Sequence, residues 1–376
     1  MGRYGEIELD DVELIGERIR LRPMQPADAP AVYEALQPDW MRRYLAEVPS
    51  PYTREDAASF VGDLSHRTRS AGTGLGVAVE RLDEGQLIGS AAIRLPLGQL
   101  RAADIGYWIS PKAQGNGYAA EAVRVLSDWA FTVGVLRSEV RCEPTNLASA
   151  RTALKAGHAF EAYHRDEIVV RDQARDTAVF VRTAEDGPEP IPPTFPRLPD
   201  SGLSDGVLSL RPMMPGDKSA VVELESDELT VDVSFSGVPS DEAVIARMCD
   251  RAALDWLVGG VARLTMVDDA TGAVAGTMQL RKVGPPQIAG VGYVVHPAFR
   301  GRGFTARGLR LLAGWAFTEG DFARLELGAK HDNVASQRAA VQGGFEPDGV
   351  RRARLRNPDG TFSNEVRFAL VAPQYR

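Results

Sequence analysis

Hydrophobic positions along the chain follow two periods. In "IRLRPM" from Ile19 they alternate, which predicts a strand. "GLGVAVE" from Gly74 and "LIGSAAIRL" from Leu87 read as neighbouring strands, joined by the charged turn "RLDEG" that Gly85 closes. "ADIGYWIS" from Ala103 is a further strand. Val123, Leu126, Trp129 and Ala130 then recur at three and four residues, the single buried stripe of a helix. "SEVRCEP" from Ser138 predicts a strand and "NLASARTALKAG" from Asn146 a helix ending near Gly157. Two more strands are expected around Ala162 and Thr177. Near the start, Asp28 is placed to cap a helix through Val32, Ala35 and Leu36, with Pro30 in its first turn.

The same order returns later in the chain. "LRPMQPADAP" at Leu21 answers "LRPMMPGDKS" at Leu210, and "LIGSAA" at Leu87 answers "VAGTMQ" at Val274. "IGYWISPKAQGNGYAAEA" at Ile105 answers "VGYVVHPAFRGRGFTARG" at Val291, and "NLASARTALKAGH" at Asn146 answers "NVASQRAAVQGGF" at Asn333. Four matches in one order and nearly one offset mark a duplication. Its unit is far longer than a solenoid repeat, so each copy is expected to carry its own core. "RLTMVDD" from Arg263 and "RLELGAK" from Arg324 are strands of the second copy. Between the copies, "EDGPEPIPPTFPRLPDSGL" from Glu185 is too rich in proline for a helix or a central strand. The expected organisation is a domain over 1–187, an extended linker over 188–204 and a domain over 205–376.

Each unit therefore reads as mixed α/β: early helices, an antiparallel meander, then strand, loop, helix, strand and helix. That last run requires a crossover and parallel pairing. The helical stripes exclude an all-strand sandwich or barrel.

Composition narrows the classes of function. The 376 residues carry a formal net charge of -8, which argues against nucleic-acid or anionic-membrane partners. Cys142 and Cys249 are the only cysteines, so no disulfide framework or cysteine-rich metal site is expected. The histidines His66, His158, His164, His296 and His331 match no zinc spacing, and no metal is expected. The start lacks the apolar centre of a signal peptide, and no apolar run reaches membrane-spanning length, so the expectation is a soluble cytoplasmic protein. The short basic runs "HRTRS" from His66 and "RRARLR" from Arg351 read as solvated faces.

The chemistry concentrates where a strand meets a helix. Gln114, Gly115, Asn116, Gly117, Tyr118 and Ala119 form a loop that opens the striped helix. Arg300, Gly301, Arg302, Gly303, Phe304 and Thr305 repeat it. Glycine lets backbone turn tightly and approach a ligand, and a helix start offers unpaired N–H groups and a positive dipole end. A diphosphate suits both features, although an ordinary tight turn uses the same residues. The loop is neither a P-loop nor a dinucleotide fingerprint, and no Gly-x-Ser-x-Gly hydrolase elbow is present.

With the preceding "GYW" strand and the Asn-x-x-Ser helix, both halves resemble the GNAT superfamily of acyl-coenzyme A-dependent N-acetyltransferases. They look most like the branch of ribosomal-protein N-terminal alanine acetyltransferases. The likeness runs from Ile19 to Val181 and from Leu208 to Val371. It implies two tandem GNAT domains and acetyl-coenzyme A as cofactor. It also implies an amine-bearing small molecule or a peptide N-terminus as acceptor. Pairing of full chains as a homodimer stays open.

The resemblance also assigns residues. The two loops would hold the coenzyme diphosphate, and the strand N–H groups, with Ile109 and Val295 in that stretch, the thioester carbonyl. Asp104 matches an acidic position thought to deprotonate the amine, or it is an exposed strand-end aspartate. The second copy has Gly290 there. Asn146 and Asn333 cap their helices or also touch the pantetheine arm. Ser149 and Ser336 lie near the thiol sulfur in that branch, or simply turn back to their own caps. Relatives with a tyrosine general acid carry it later on this helix, where Ala153 and Ala340 stand. Tyr163, His164 and Glu167 line an acceptor pocket or a solvent-facing edge. Trp129 and Trp315 read as core.

Overall fold

The computed structural model describes residues 12–45, 47–64, 69–95 and 102–375. The start of the chain and His66–Thr68 of the first basic run lie outside them. Two compact units divide the chain at Pro192/Pro193.

The first unit is built on one sheet: β1 (Leu14–Ile15), β2 (Ile19–Arg22), β3 (Gly74–Arg81), β4 (Leu87–Arg94), β5 (Ala102–Ile109), β6 (Arg137–Cys142), β7 (Ala159–Val170) and β8 (Gln173–Thr183). Its order is β1-β2-β3-β4-β5-β6-β8-β7, all antiparallel except β5 against β6. Early helices α1 (Ala29–Ala35), α2 (Asp39–Arg42) and α3 (Arg54–Ser59) cover one face, packing Val32, Met41 and Ala57 against Ala78 and Trp108. The other face carries α4 (Tyr118–Thr132) and α5 (Leu147–Lys155). Val123, Leu126 and Ala130 of the α4 stripe are fully buried; a valine or leucine side chain so buried contributes about 1.5–3 kcal/mol. Trp129 departs from its expected core place and is half-buried, whereas Trp315 is 4% exposed in the second core.

The second unit repeats the plan. Its strands are β9 (Leu203–Ser204), β10 (Leu208–Pro212), β11 (Val261–Asp268), β12 (Val274–Val283), β13 (Ile288–Val295), β14 (Arg324–Lys330), β15 (Glu346–Arg356) and β16 (Phe362–Val371). They lie in the order β15-β16-β14-β13-β12-β11-β10-β9. Its helices are α6 (Lys218–Ser226), α7 (Glu228–Val233), α8 (Glu242–Val258), α9 (Phe304–Thr318) and α10 (Val334–Gln342). In the proline-rich stretch, Ile191 N–H donates to the Leu154 carbonyl of the first unit, while Phe195 and Leu198 are buried in the second core. These residues are packed, not solvated.

The repeated opening motif has a physical reason. Arg22 is buried and makes a two-pronged bond to Asp28, both arms at 2.9 Å, and its Nε pairs with Glu80. Arg211 grips Asp217 in the same way, with the Thr265 hydroxyl as a third partner. Asp28 thus stands at the helix start without capping it. Its carboxylate accepts from Arg22 and from the Gln25 N–H instead. Burial alone would raise the Asp28 pKa, but these bonds hold it below the usual carboxylate range.

Candidate active site

The site begins where two parallel strands part. β5 and β6 pair only from Ala102↔Arg137 to Asp104↔Glu139, yet β5 runs on to Ile109 and β6 to Cys142. In the second unit, pairing stops at Gly290↔Glu326. Beyond these points, β4 keeps hold of β5. A Cβ on Gly89 would stand 2.4 Å from the Trp108 carbonyl oxygen, and one on Gly276 2.3 Å from that of Val294. Only glycine permits that approach. Ser110 N–H donates to the Ile88 carbonyl at 2.7 Å. By antiparallel alternation, the N–H groups of Tyr107 and Ile109 therefore point away from β4, into the splay. His296 N–H donates to the Ala275 carbonyl at 2.9 Å, which orients Tyr293 and Val295 likewise.

At the open end of β5 lies the loop. Gly115 and Gly117 have φ of 81° and 83°, Gly301 and Gly303 of 76° and 75°. These are left-handed values that favour glycine. A Cβ on Gly115 or Gly301 would meet nothing within 4 Å, so the loops curl around open space. The N–H groups of 115–120 and 301–306 donate to no acceptor among the described residues. The first to return to the loop are Glu121 and Arg307, bonded to the Gly117 and Gly303 carbonyls. A row of free N–H groups, open space and a positive helix end fit a diphosphate.

Side chains brace this cradle. Gln114 Nε2 donates to the Ile109 carbonyl at 2.9 Å, and Asn116 Nδ2 to the carbonyls of Ala113 and Gln114. Arg18 bonds the Asn116 carbonyl at 3.0 Å and Glu121 at 2.9 Å, with its guanidinium 5.1 Å from the Tyr118 ring. In the second loop, Arg300 pairs with Asp227 and bonds Thr230, tying the loop to α7. The Arg302 guanidinium lies 5.1 Å from the Phe299 ring, and Phe304 is buried. Ala119 and Thr305, one residue into each helix, are half-buried.

Across the splay, Asn146 Oδ1 accepts from the Ser149 N–H at 3.2 Å and Asn333 Oδ1 from the Ser336 N–H at 3.0 Å, so both asparagines cap their helices. The two serines meet partners that the sequence reading missed. Tyr107 and Ser149 hydroxyls lie 2.8 Å apart, as do those of Tyr293 and Ser336. Each pair ties the diverging strand to the helix beyond the gap. Burial pushes both phenols above their ordinary range, that of Tyr107 strongly. The signal was present in the matched "GYW" and "GYV". Cys142, at the end of β6, is buried and its thiol is pushed up to about 12, so it stays protonated.

The face opposite α4 and α5 is charged. Arg94 donates to Asp104 at 3.0 Å, and Arg141 Nε lies 3.9 Å from the same carboxylate. Arg141 also bonds Glu139 and Glu167. Glu167 further accepts from Thr177 and lies 2.7 Å from His164 Nδ1. Burial would raise its pKa, but these partners hold it below the usual range. The second unit differs. Gly290 and Gly328 stand where the first has Asp104 and Arg141, and Arg367 pairs with both Glu326 and Glu365. No group of three or more potential metal ligands is found among the described residues, and none of their helices is long and apolar enough to cross a membrane.

The acetyltransferase (GNAT) domain family matches residues 18–159 and again 208–346. The uncharacterised N-acetyltransferase YoaA of Bacillus subtilis is 27% identical over 165 residues, 44% of this chain and 92% of the relative. A GNAT-family acetyltransferase structure from Bacillus anthracis is 24% identical, with a TM-score of 0.41, covering 46% of this chain and 98% of its own. The RimJ structure of Mycobacterium smegmatis in complex with CoA-disulfide is also 24% identical at 0.41, covering 46% and 87%. The chain is thus a member of the GNAT acetyltransferase family, with two copies of the domain in tandem.

Proposed function

We propose that the first half transfers an acetyl group from acetyl-coenzyme A to a primary amine. One observation carries this reading: a single splay collects a row of free loop N–H groups, inward-pointing strand N–H groups and the Tyr107–Ser149 hydroxyl pair. When bound, acetyl-coenzyme A supplies an acetyl group already activated as a thioester. The N–H groups of 115–119 would hold its diphosphate, and Asn146 would border the pantetheine arm. The Ile109 N–H would hold and polarise the carbonyl. Tyr107 and Ser149, kept protonated, are placed to give a proton to the departing sulfur. Hydroxyls supplied from the strand and the helix start would replace the later helical tyrosine that Ala153 lacks. Asp104, held by Arg94 and Arg141, serves better as a counter-charge for a cationic amine than as its base. The motif likeness to the ribosomal branch makes a peptide N-terminus the first acceptor to test, ahead of amino acids, polyamines and aminoglycosides.

Gly290 favours a second reading for the other half. There the cradle is complete while the charged acceptor face is rebuilt, which suits an acyl-coenzyme A-binding module or scaffold. An amine panel with acetyl-coenzyme A, read by thiol release and product mass, tests both readings. Transfer to at least one primary amine is expected. Cofactor binding without transfer to any amine would make both halves binding modules.

A further inference from the structure

We infer that His164, oriented by Glu167, is the base that takes the proton from the acceptor amine in the first half. This rests on the acetyl-transfer reading above. The pair is built by an irregularity in the edge strand. Between His164↔Thr177 and Ile168↔Arg175, β7 carries two more residues than β8, and Asp166 turns through a left-handed φ of 51°. Its N–H is accepted by Asp176 at 3.2 Å. The bulge folds Glu167 back over Thr177 and against His164. Such bulges re-aim side chains at the cost of local strain.

Its position follows from the register. Asp104 and Glu139 are opposed, so they share a face. Arg141 lies two residues along β6 from Glu139, and it bonds Glu167. His164 therefore stands on the face away from α4 and α5, the side left for an acceptor when the cofactor enters the splay. Thr177 follows Ala178, the partner of Cys142, in the opposite direction along β8. That sets His164 level with the end of β6, with β8 between them, so the amine proton reaches Nε2 through water.

The carboxylate contact assigns the roles of the two nitrogens. In the neutral ring, Glu167 accepts the Nδ1 proton and Nε2 is left bare, and Nε2 has no partner among the described residues. His164 is 45% exposed at its side chain, so water can reach it. Glu167 is a positioning residue.

The proton count closes. His164 Nε2 takes one proton from the ammonium through water. The freed lone pair forms the N–C bond to the acetyl carbon, and the C–S bond breaks with its electron pair on sulfur. Sulfur receives a proton from the Tyr107–Ser149 pair, the nitrogen's second proton passes through water to restore that pair, and His164 returns its own proton to solvent. The other half cannot do this, because Arg351 stands at the matching place, opposite Glu365.

The test uses the full chain, with spermidine and an alanyl peptide as acceptors. His164→Gly is expected to lower kcat by about 10²–10³-fold, to leave the unfolding midpoint unchanged and to be rescued by added imidazole. An unchanged kcat, or a loss that imidazole leaves in place, overturns the assignment. Nitrogen-15 NMR of the cofactor-free chain should show the Nδ1–H tautomer of His164, shifting toward Nε2–H in Glu167→Gln. A tautomer indifferent to Glu167 also overturns it. Should the unaltered chain acetylate neither amine, the transfer reading fails for these acceptors, while the tautomer measurement still decides the pair.

Discussion

The two halves keep the same loop and diverge across the splay from it. Four glycines hold nearly one φ, and both hydroxyl pairs span the gap at 2.8 Å. On the acceptor face, Asp104, Arg141 and His164 become Gly290, Gly328 and Arg351. On the proposed reading the loop would recognise its ligand through backbone N–H groups and need only glycine, which leaves most side chains around it free to change. Arg300 stands in place of Gln114, and Arg307 in place of Glu121, pairing with Asp205 where Glu121 pairs with Arg18. The proposed acceptor face would work through side chains, so each exchange there would alter its chemistry. On the proposed reading, duplication followed by drift would leave two cofactor cradles and one acceptor face suited to a cationic amine.

Blocking one cradle at a time gives the largest effect. Gly117→Trp puts a bulky residue at a left-handed φ in the first loop, and acetyl transfer should fall more than about 1,000-fold, above roughly 4 kcal/mol. Gly303→Trp should leave turnover within about twofold. Equal losses from both would erase the difference between the halves; the check is kcat/KM on an active amine.

Acid should separate the halves next. His158 is fully buried, with Nε2 3.0 Å from the Ser138 hydroxyl, while the second copy has the core residue Phe345 at that place. Burial pushes the imidazole down from 6.5 to about 4. The unfolded chain therefore takes the proton first. Stability from this site is complete above 6.5, is lost as pH falls through that window, and amounts to about 3 kcal/mol. Each unit has one buried cysteine, Cys142 and Cys249. Labelling them during urea unfolding with a disulfide reagent active in mild acid reads the units separately. The Cys142 midpoint should drop between pH 7.5 and 5 more than that of Cys249, and His158→Phe should remove the excess.

The smallest effect concerns the hydroxyl pairs. Ser149→Ala should lower kcat about 10–30-fold, some 1.5–2 kcal/mol, with KM for acetyl-coenzyme A little changed. Ser336→Ala should not alter turnover. A matched loss in both would assign catalysis to the second half as well.

Much of this was legible in the sequence, because apolar period and glycine position report local geometry. The strands, the striped helix and the paired loops each lie where alternation, spacing and punctuation placed them. Contacts between distant segments were not legible. Nothing near Asp28 announces that its carboxylate serves Arg22 and the Gln25 N–H rather than the helix start, and nothing near Asp104 announces Arg94. The Tyr107–Ser149 pair joins residues 42 apart in sequence, and the bulge that sets Glu167 against His164 depends on register with β8. Trp129 kept the helical period but sits where the stripe meets solvent.

The central claim is that both loops are working diphosphate cradles. Calorimetric titration of acetyl-coenzyme A into the full chain tests it directly. Two equivalents are predicted, falling to one in Gly117→Trp and in Gly303→Trp. A single equivalent in the unaltered chain would contradict the paired cradles, and no binding at all would contradict the acetyl-coenzyme A reading.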